Sequence, residues 1–278
     1  NLFGKDEAGQ RIVLPRPISM DQSILRPSLV PQMVETLGKN KAHQIDQAAF
    51  FEMGRVFSLH DNHKTEETRL AIGLMGNVGR SNMDVRTPST AEEVFLWAKG
   101  IWSQLAETQH LSPWQLAEIP LSFCEKGKAV EIRVNQKSIG WLGLLAESIR
   151  KEWRLNEPVA VMEVGVEALL SSAFSIPAFR PLAAYPCIVR DVALVVNEDI
   201  MHAAIENVLR EAAPPELEKI QLFDIFRSAA IGKGKKSMAY SLTYRSSNST
   251  LTDGVVNQYH NSVKDTLKQK LNAEIRES

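Results

Sequence analysis

Cysteine is nearly absent from this sequence, and its scarcity excludes several classes of protein. Only two cysteines occur among 278 residues, Cys124 and Cys187, and their separation fits no zinc or redox motif. We therefore expect no disulfide framework and a reducing, cytoplasmic location. No apolar run approaches the roughly 18–20 residues that span a bilayer, so we expect no membrane partner. The first ten residues are polar and lack Met, which predicts a piece of a longer chain without a secretory leader.

An excess of charge of either sign is also missing. The chain holds 32 basic and 33 acidic side chains, a net charge of −1, so its composition indicates no polyanionic partner. Over residues 180–278 the balance is 13 lysines and arginines against 12 acids. RNA binding by this part would therefore depend on a few local contacts and not on a broad basic surface. The apolar content of 44% and the length fit a globular protein with two domains.

Familiar catalytic motifs are absent as well. The chain contains no G-x-G-x-x-G, Walker A or G-x-S-x-G sequence. Residues 232–237 resemble the end of a phosphate-binding loop, but a strand follows them, so no helix N-terminus points at a phosphate. His60 and His63 lack the further ligands that a metal site needs, and Cys124 lacks a partner base. We therefore predict no catalytic residue and no metal ligand.

The first part of the chain, residues 1–176, alternates between helix and strand patterns. Helices are predicted over 28–37, over 145–153, and behind the capping box Thr90–Glu93. The helix behind the capping box has an apolar stripe at Val94, Trp97, Ile101 and Leu105. Strand patterns cover 11–14, 48–59, 69–75, 129–134, 138–144 and 159–164. The prediction is an α+β domain with a largely antiparallel sheet.

A second domain is predicted over residues 177–278, after serines and prolines that punctuate the chain. Its strand patterns cover 188–196, 219–226, 236–245 and 273–276. A helix capped by Asp199 and stopped by Pro214 separates the first two strands, and a long helix capped by Thr252 precedes the last. The order βαββαβ is the ferredoxin-like arrangement.

The third strand of this second domain separates large side chains from small ones. One face carries Met238, Tyr240, Leu242 and Tyr244, and the other carries Ser237, Ala239, Ser241 and Thr243. If both helices pack on the apolar face, the small polar face stays open. An open face of this kind is how RNA-recognition folds present a platform to unstacked bases.

Phe226 ends the second strand at the rim of that platform, where its ring can stack on a base. Nearby cations can hold the RNA backbone: Arg227, Lys233, Lys235 and Lys236. The alternative is that Phe226 belongs to the core and that the lysines are ordinary surface residues. The residues alone do not decide between these interpretations.

Four sequence blocks carry a resemblance to a known family: YPCIVRDVALVV at 185–196, LFDIF at 222–226, GKKSMA at 234–239 and TLTD at 250–253. In order and spacing they resemble the anticodon-binding domain that ends the bacterial phenylalanyl-tRNA synthetase beta subunit. The sequence departs from the family at Phe226, where Tyr is usual, and at Ser228, where Gly is common. The resemblance implies a tRNA-binding set at Arg190, Phe226, Arg227, Lys233, Lys235, Lys236 and Ser237.

The first domain is similar to the same family. LRPSLVP at 25–31, FEMGRVF at 51–57 and IGWLG at 139–143 resemble family motifs, while a further motif is eroded at 123–129. The resemblance implies the fold of a class II synthetase core that performs no catalysis. It also implies an alpha subunit as partner, in a heterotetramer of two alpha and two beta chains. The whole enzyme attaches phenylalanine to tRNA(Phe) with ATP and Mg²⁺, and we expect no cofactor in this part.

Charge chemistry supports the absence of catalysis. Class II adenylation needs one arginine at the alpha-phosphate and a second at the gamma-phosphate to stabilise the displacement. Arg26 or Arg55 can stand in for the first, but the late stretch 162–167 has carboxylates where the second cation would be. Two other functions remain open at this point: a ferredoxin-like module that senses a small ligand, or a purely structural interaction protein.

Overall fold

A computed structural model describes residues 11–19, 23–60, 63–78, 88–111, 113–172 and 182–276. The chain divides into two compact units, Asn1–Ala178 and Phe179–Ser278. The predicted boundary between residues 176 and 177 lies outside the described residues. Each unit has its own antiparallel sheet, and the predicted α+β class is confirmed.

The first unit is built on a six-stranded antiparallel sheet with the strand order β1-β2-β6-β5-β4-β3. Its elements in chain order are α1 Val30–Ala42, β1 Ala48–His60, β2 His63–Met75, α2 Ala91–Thr108, β3 Trp114–Glu118, β4 Cys124–Val134, β5 Lys137–Leu145, α3 Glu147–Glu152, β6 Val159–Gly165 and α4 Val166–Ser172. The sequence patterns missed β3 and α4. The strand predicted at 11–14 is a single bridge between Val13 and Ile24, because so short a segment forms no ladder.

Helix α2 starts as predicted but packs differently. The capping box is confirmed, since Thr90 Oγ1 accepts from the Glu93 amide and the Glu93 carboxylate accepts from the Thr90 amide. The predicted stripe was wrong at Trp97, which is 45% exposed. The buried positions are Val94, Ala98, Trp102 and Ala106. The small Ala98 and Ala106 let the helix approach the sheet closely, so Trp102 fills the core and Trp97 is left on the flank.

The central strand β6 is buried along its whole length because helices cover both sides of the sheet. Ala160, Met162 and Val164 point into the core that α2 covers. Val159 and Val161 point to the opposite side, into the cluster that includes Val34 of α1. A continuous apolar run is what a strand covered on both faces requires. The one charged exception is Glu163.

Glu163 is 1% exposed, and its two carboxylate oxygens join three parts of the first unit. Oε1 accepts from the Ser28 hydroxyl at 2.9 Å and from the Leu29 amide at 2.7 Å, where α1 begins. Oε2 accepts from Arg69 Nη1 of β2 at 3.0 Å. A carboxylate at the start of a helix satisfies amides that have no partner within the helix and interacts favourably with the helix dipole. Glu163 therefore ties α1 to the centre of the sheet.

The second unit has the predicted βαββαβ order. Its elements are β7 Ile188–Asn197, α5 His202–Ala212, β8 Leu217–Phe226, β9 Lys235–Tyr244, α6 Asp253–Leu271 and β10 Glu274–Arg276, with a 3₁₀ turn at Ala229–Ile231. The strand order is β10-β7-β9-β8, and every neighbouring pair is antiparallel. Core residues of α5 and α6 pack on the same side of this sheet.

Two predicted helix starts need correction. Helix α5 begins at His202, with Met201 and not Asp199 at the N-cap and no side-chain cap. Thr252 does occupy the N-cap of α6, but its hydroxyl makes no capping hydrogen bond. Histidine–tyrosine contacts hold both helices on β9: His202 Nδ1 at the start of α5 lies 2.9 Å from Tyr240 Oη, and His260 Nδ1 in the middle of α6 lies 3.3 Å from Tyr244 Oη.

We predict that Glu163→Gln lowers the free energy of unfolding of the first unit by about 2 kcal/mol, since a buried hydrogen bond to a charged group is lost. Urea denaturation followed by tryptophan fluorescence measures the change. Glu66→Gln is the control, because Glu66 makes an exposed ion pair with Arg55 at 3.0 Å and such pairs contribute about 0–1 kcal/mol. Equal effects of the two substitutions would refute the anchoring role of Glu163.

Candidate nucleic-acid interface

The sheet of the second unit has one face covered by helices and one open face. Met238, Tyr240, Leu242 and Tyr244 of β9 are buried in the core with α5 and α6, as predicted. The intervening residues Ser237, Ala239, Ser241 and Thr243 point the other way, because successive side chains of a strand alternate between faces. This open face is defined by small side chains along its central strand.

Phe226 lies on the open face at the end of the edge strand β8. It pairs with Ser237 of β9, and paired residues of antiparallel strands share a face. The ring is 48% exposed and is not part of the apolar cluster. The alternative that Phe226 belongs to the core is therefore wrong. Ser237 beside it is buried, so the ring and not the hydroxyl is the more accessible group.

The lysines predicted to surround Phe226 differ in their exposure and in their bonding partners. Lys233 is exposed and makes no ion pair with any described residue. Lys235 Nζ lies 3.7 Å from a carboxylate oxygen of Glu274. The prediction that Lys236 holds the RNA backbone needs correction. Lys236 is 8% exposed, and its ammonium donates to the Glu198 carbonyl oxygen at 2.9 Å. Lys236 points to the helix-covered face, as Met238 does, and acts as a structural link.

Arg227 follows β8 directly and is paired with a carboxylate. Its Nη2 lies 2.8 Å from Glu198 Oε1, and its Nε lies 3.0 and 3.3 Å from the two oxygens of the same group. This hydrogen bond with Arg227 lowers the pKa of Glu198 below its ordinary value. No motif or periodicity in the sequence points to Glu198. Its position just after β7 became informative only once the strand order placed it near the end of β8.

Arg190 is separated from the other predicted residues. It lies on the helix-covered face of β7, where its guanidinium pairs with Asp253 and donates from Nε to Asn257 Oδ1 at 3.2 Å. These partners stand in the first turns of α6. The family-like RD and TLTD blocks thus meet in space as a clamp between β7 and α6. The structure does not bring Arg190 together with Phe226.

The loop before β9 has the backbone that its glycines permit. Gly232 and Gly234 have φ values of +101° and +78°, which other residues adopt at a cost. Ser228, where the family commonly has glycine, has an extended φ of −157°, and its hydroxyl accepts from the Ala230 amide at 3.0 Å. The departure at Ser228 therefore leaves the loop intact.

The first unit holds a cavity of about 340 Å³ on the α1 side of its sheet. Among the described residues that line it, Glu67, Glu131 and Glu163 supply three carboxylates and Arg69 one cation. Arg26 and Arg55 do not line it; Arg26 pairs with Glu52 at 2.8 Å and Arg55 with Glu66 at 3.0 Å. This lining repels a triphosphate, which is the opposite of what adenylation needs.

The described residues offer neither a cluster of metal ligands nor a membrane-spanning helix. No group of three or more His, Cys, Asp or Glu side chains that could hold a metal ion occurs in the described part of the chain. Asp61 and Asn62, between the two histidines noted in the sequence, lie outside it. Within the same residues, no helix is both long and apolar enough to cross a membrane.

Both units of the chain match known protein families. Residues 1–166 match the model of the phenylalanyl tRNA synthetase beta chain CLM domain, and residues 183–276 match the ferredoxin-fold anticodon binding domain. The chain belongs to the phenylalanyl-tRNA synthetase beta chain family. The motifs that carry the resemblance in residues 25–143 lie in the first of these domains, and those in residues 185–253 lie in the second.

Named relatives of the beta chain come from several bacteria. The phenylalanine–tRNA ligase beta subunit of Listeria innocua is 34% identical over 272 residues, which are 95% of this chain and 33% of that protein. The subunit of Moorella thermoacetica is 32% identical over 277 residues, 98% of this chain and 34% of that protein. This chain therefore spans about a third of the length of these relatives.

Among solved structures, a pyrrolysyl-tRNA synthetase from Desulfitobacterium hafniense overlaps with 63% of this chain and 60% of its own, at a TM-score of 0.46 and 16% identity. A second structure of that synthetase overlaps with 60% of this chain at the same TM-score. Overlap at this level does not establish a shared fold.

We predict that Phe226→Ala changes the free energy of unfolding of this beta chain by less than about 0.5 kcal/mol, because the ring is half exposed and outside the core. Tyr240→Ala is the contrasting variant, since it empties a fully buried position and should cost about 3–5 kcal/mol. Urea titration of both variants measures the difference. A loss at Phe226 as large as that at Tyr240 would return Phe226 to the core.

The two cysteines should react very differently with Ellman's reagent. Burial raises the pKa of the Cys124 thiol to about 12, so the thiol stays protonated and unreactive at pH 8. Cys187 is exposed. We expect one thiol to react quickly in the native protein and a second only after unfolding. Native reactivity should vanish in Cys187→Ser; its survival there would show that Cys124 is accessible.

Proposed function

We propose that this chain is the tRNA-binding and assembly portion of a phenylalanyl-tRNA synthetase and performs no bond chemistry itself. The observation that carries the proposal is the exposed Phe226 ring on the open face of an anticodon-binding fold. A half-exposed aromatic ring beside small side chains leaves room for an unstacked base. Stacking on such a ring contributes about 1–3 kcal/mol and tolerates different bases.

Electrostatics on the open face support binding through few contacts. By strand register, Asp224 and Asp191 share this face with Lys219 and Lys235, so opposite charges alternate there. Lys233 in the loop and Lys235, the first residue of β9, are both exposed and are the lysines that would contact phosphates. The Phe226 ring then supplies most of the affinity, and the lysines orient the backbone.

The first unit supports assembly and not catalysis. Its cavity has more carboxylates than cations, so ATP and Mg²⁺ would act in the alpha subunit, where phenylalanine is attached to tRNA(Phe). Phe51 and Met53 on the edge strand β1 are 72% and 64% exposed. Large apolar side chains of this kind fit a surface that is covered in a heterotetramer of two alpha and two beta chains. Such an enzyme works in the cytoplasm.

The test measures binding of tRNA(Phe) to the complete beta chain assembled with its alpha subunit. Phe226→Ala should weaken binding by about 1–3 kcal/mol, which is roughly 5- to 150-fold. Phe226→Tyr keeps the stacking face and should bind as the unchanged protein does. Phe223→Ala, which removes another exposed ring of β8 at a bulge, controls for a general loss of apolar surface.

Salt gives an independent measurement in the same assay. Affinity must fall as salt rises if lysines contact phosphates. No binding of tRNA(Phe) at low salt, or binding that Phe226→Ala leaves unchanged, would contradict the proposal. The first result would favour a purely structural module.

A further inference from the structure

Glu198 and Arg227 form a pair across the end of the second sheet at which β9 begins. Glu198 follows β7 and Arg227 follows β8, the two strands that flank β9. Three hydrogen-bond distances between 2.8 and 3.3 Å join the guanidinium to the carboxylate. Arg227 is thus the cation nearest in sequence to Phe226, and a carboxylate already occupies its hydrogen-bonding edge.

The backbone of Glu198 is held from two sides, which fixes where its carboxylate can reach. Its amide donates to the Gly234 carbonyl at 2.8 Å, and its own carbonyl accepts from Lys236 Nζ at 2.9 Å. Gly234 lies immediately before β9, and Lys236 is the second residue of this strand. These two backbone contacts hold Glu198 where its carboxylate reaches Arg227. A glutamate is already ionised at neutral pH, and the hydrogen bond from Arg227 lowers the pKa of Glu198 further.

A phosphate that approached Arg227 would meet this fixed negative charge. Arginine binds carboxylate and phosphate through the same two-pronged geometry, so the phosphate gains at Arg227 about what it loses by displacing Glu198. It also remains close to the displaced carboxylate, which repels it. The expected net attraction of the pair for an RNA backbone is close to zero.

We propose that Glu198 limits the affinity of this surface for RNA by holding Arg227 away from the phosphate backbone. This inference rests on the proposed tRNA-binding function and deepens it. The phosphate contacts then fall to Lys233 and Lys235, and the sequence-independent part of the binding energy stays small. A complex that depends on one stacked base and two lysines dissociates readily, as a synthetase that releases its product needs.

The decisive variants are Glu198→Gln, Arg227→Ala and their combination, in the complete assembled enzyme with tRNA(Phe) as the probe. Glu218→Gln is a matched control: Glu218 pairs with Arg245 at 2.8 Å, and its side chain is 48% exposed against 47% for Glu198. It lies at the opposite end of β8, roughly 25 Å from Phe226 at about 3.3 Å per residue. Salt screens electrostatic interactions over that distance. Both substitutions therefore remove one negative charge, but only Glu198→Gln removes it at the proposed binding site.

Glu198→Gln should tighten tRNA binding about fivefold at 0.1 M salt and steepen the plot of log affinity against log salt by about 0.7, the release of one more counterion from a single strand. Arg227→Ala alone should change affinity less than about twofold, and in the double variant it should cancel the gain. Glu218→Gln should bind as the unchanged protein does. Thermal unfolding should be the same for Glu198→Gln, since exposed pairs contribute little stability.

Two results would overturn the inference: no tightening in Glu198→Gln, or a several-fold loss of affinity in Arg227→Ala alone, which would place Arg227 on a phosphate. These outcomes are distinct from failure of the proposed function. That failure would appear as absent binding in all variants, or as indifference to Phe226→Ala, and would remove this inference too. Binding that Phe226→Ala weakens while Glu198→Gln leaves it unchanged would contradict the role of Glu198 alone.

Discussion

Packing of both helices against one side of the second sheet is the constraint on which the candidate interface depends. Buried tyrosines of β9 contact histidines at the start of α5 and in the middle of α6, so the helices are held where they leave the other side open. The clamp between Arg190 and the first turns of α6 adds to the same arrangement. With the helices fixed, the strand alternation leaves the small side chains of β9 and the half-exposed ring of Phe226 on the open face.

Two charged side chains that could be expected to contact a ligand, Glu163 and Lys236, instead stabilise the fold. Glu163, in the stretch where adenylation would need a cation, instead holds the start of α1 and Arg69 of β2. Lys236 of β9, within the segment 232–237 that resembles the end of a phosphate-binding loop, is buried and donates to a carbonyl oxygen. In both cases the charged group makes its hydrogen bonds within the protein, so it is not available to a ligand.

The two units differ in the surfaces that the proposed function uses. The cavity of the first has more carboxylates than cations, which does not suit ATP, and the exposed Phe51 and Met53 of β1 are the residues on which the proposed assembly role rests. The second has an interface whose net charge is small because acids neighbour most of its cations. In the tRNA complex proposed above, this balance would keep the contribution of phosphate contacts small, and recognition would depend more on the stacking of a base.

Local periodicity and short motifs were enough to predict the order of elements in the second unit, the capping box of α2, the two faces of β9 and the family. The remaining features depend on contacts between distant segments. Whether Phe226 is exposed depends on which strand lies at the edge, and the exposure of Trp97 depends on how closely two alanines let α2 approach the sheet. The pairing of Arg227 with Glu198, and of Arg190 with α6, joins residues that are far apart in sequence. Such contacts are set by strand order and register, which a pattern along one segment does not contain.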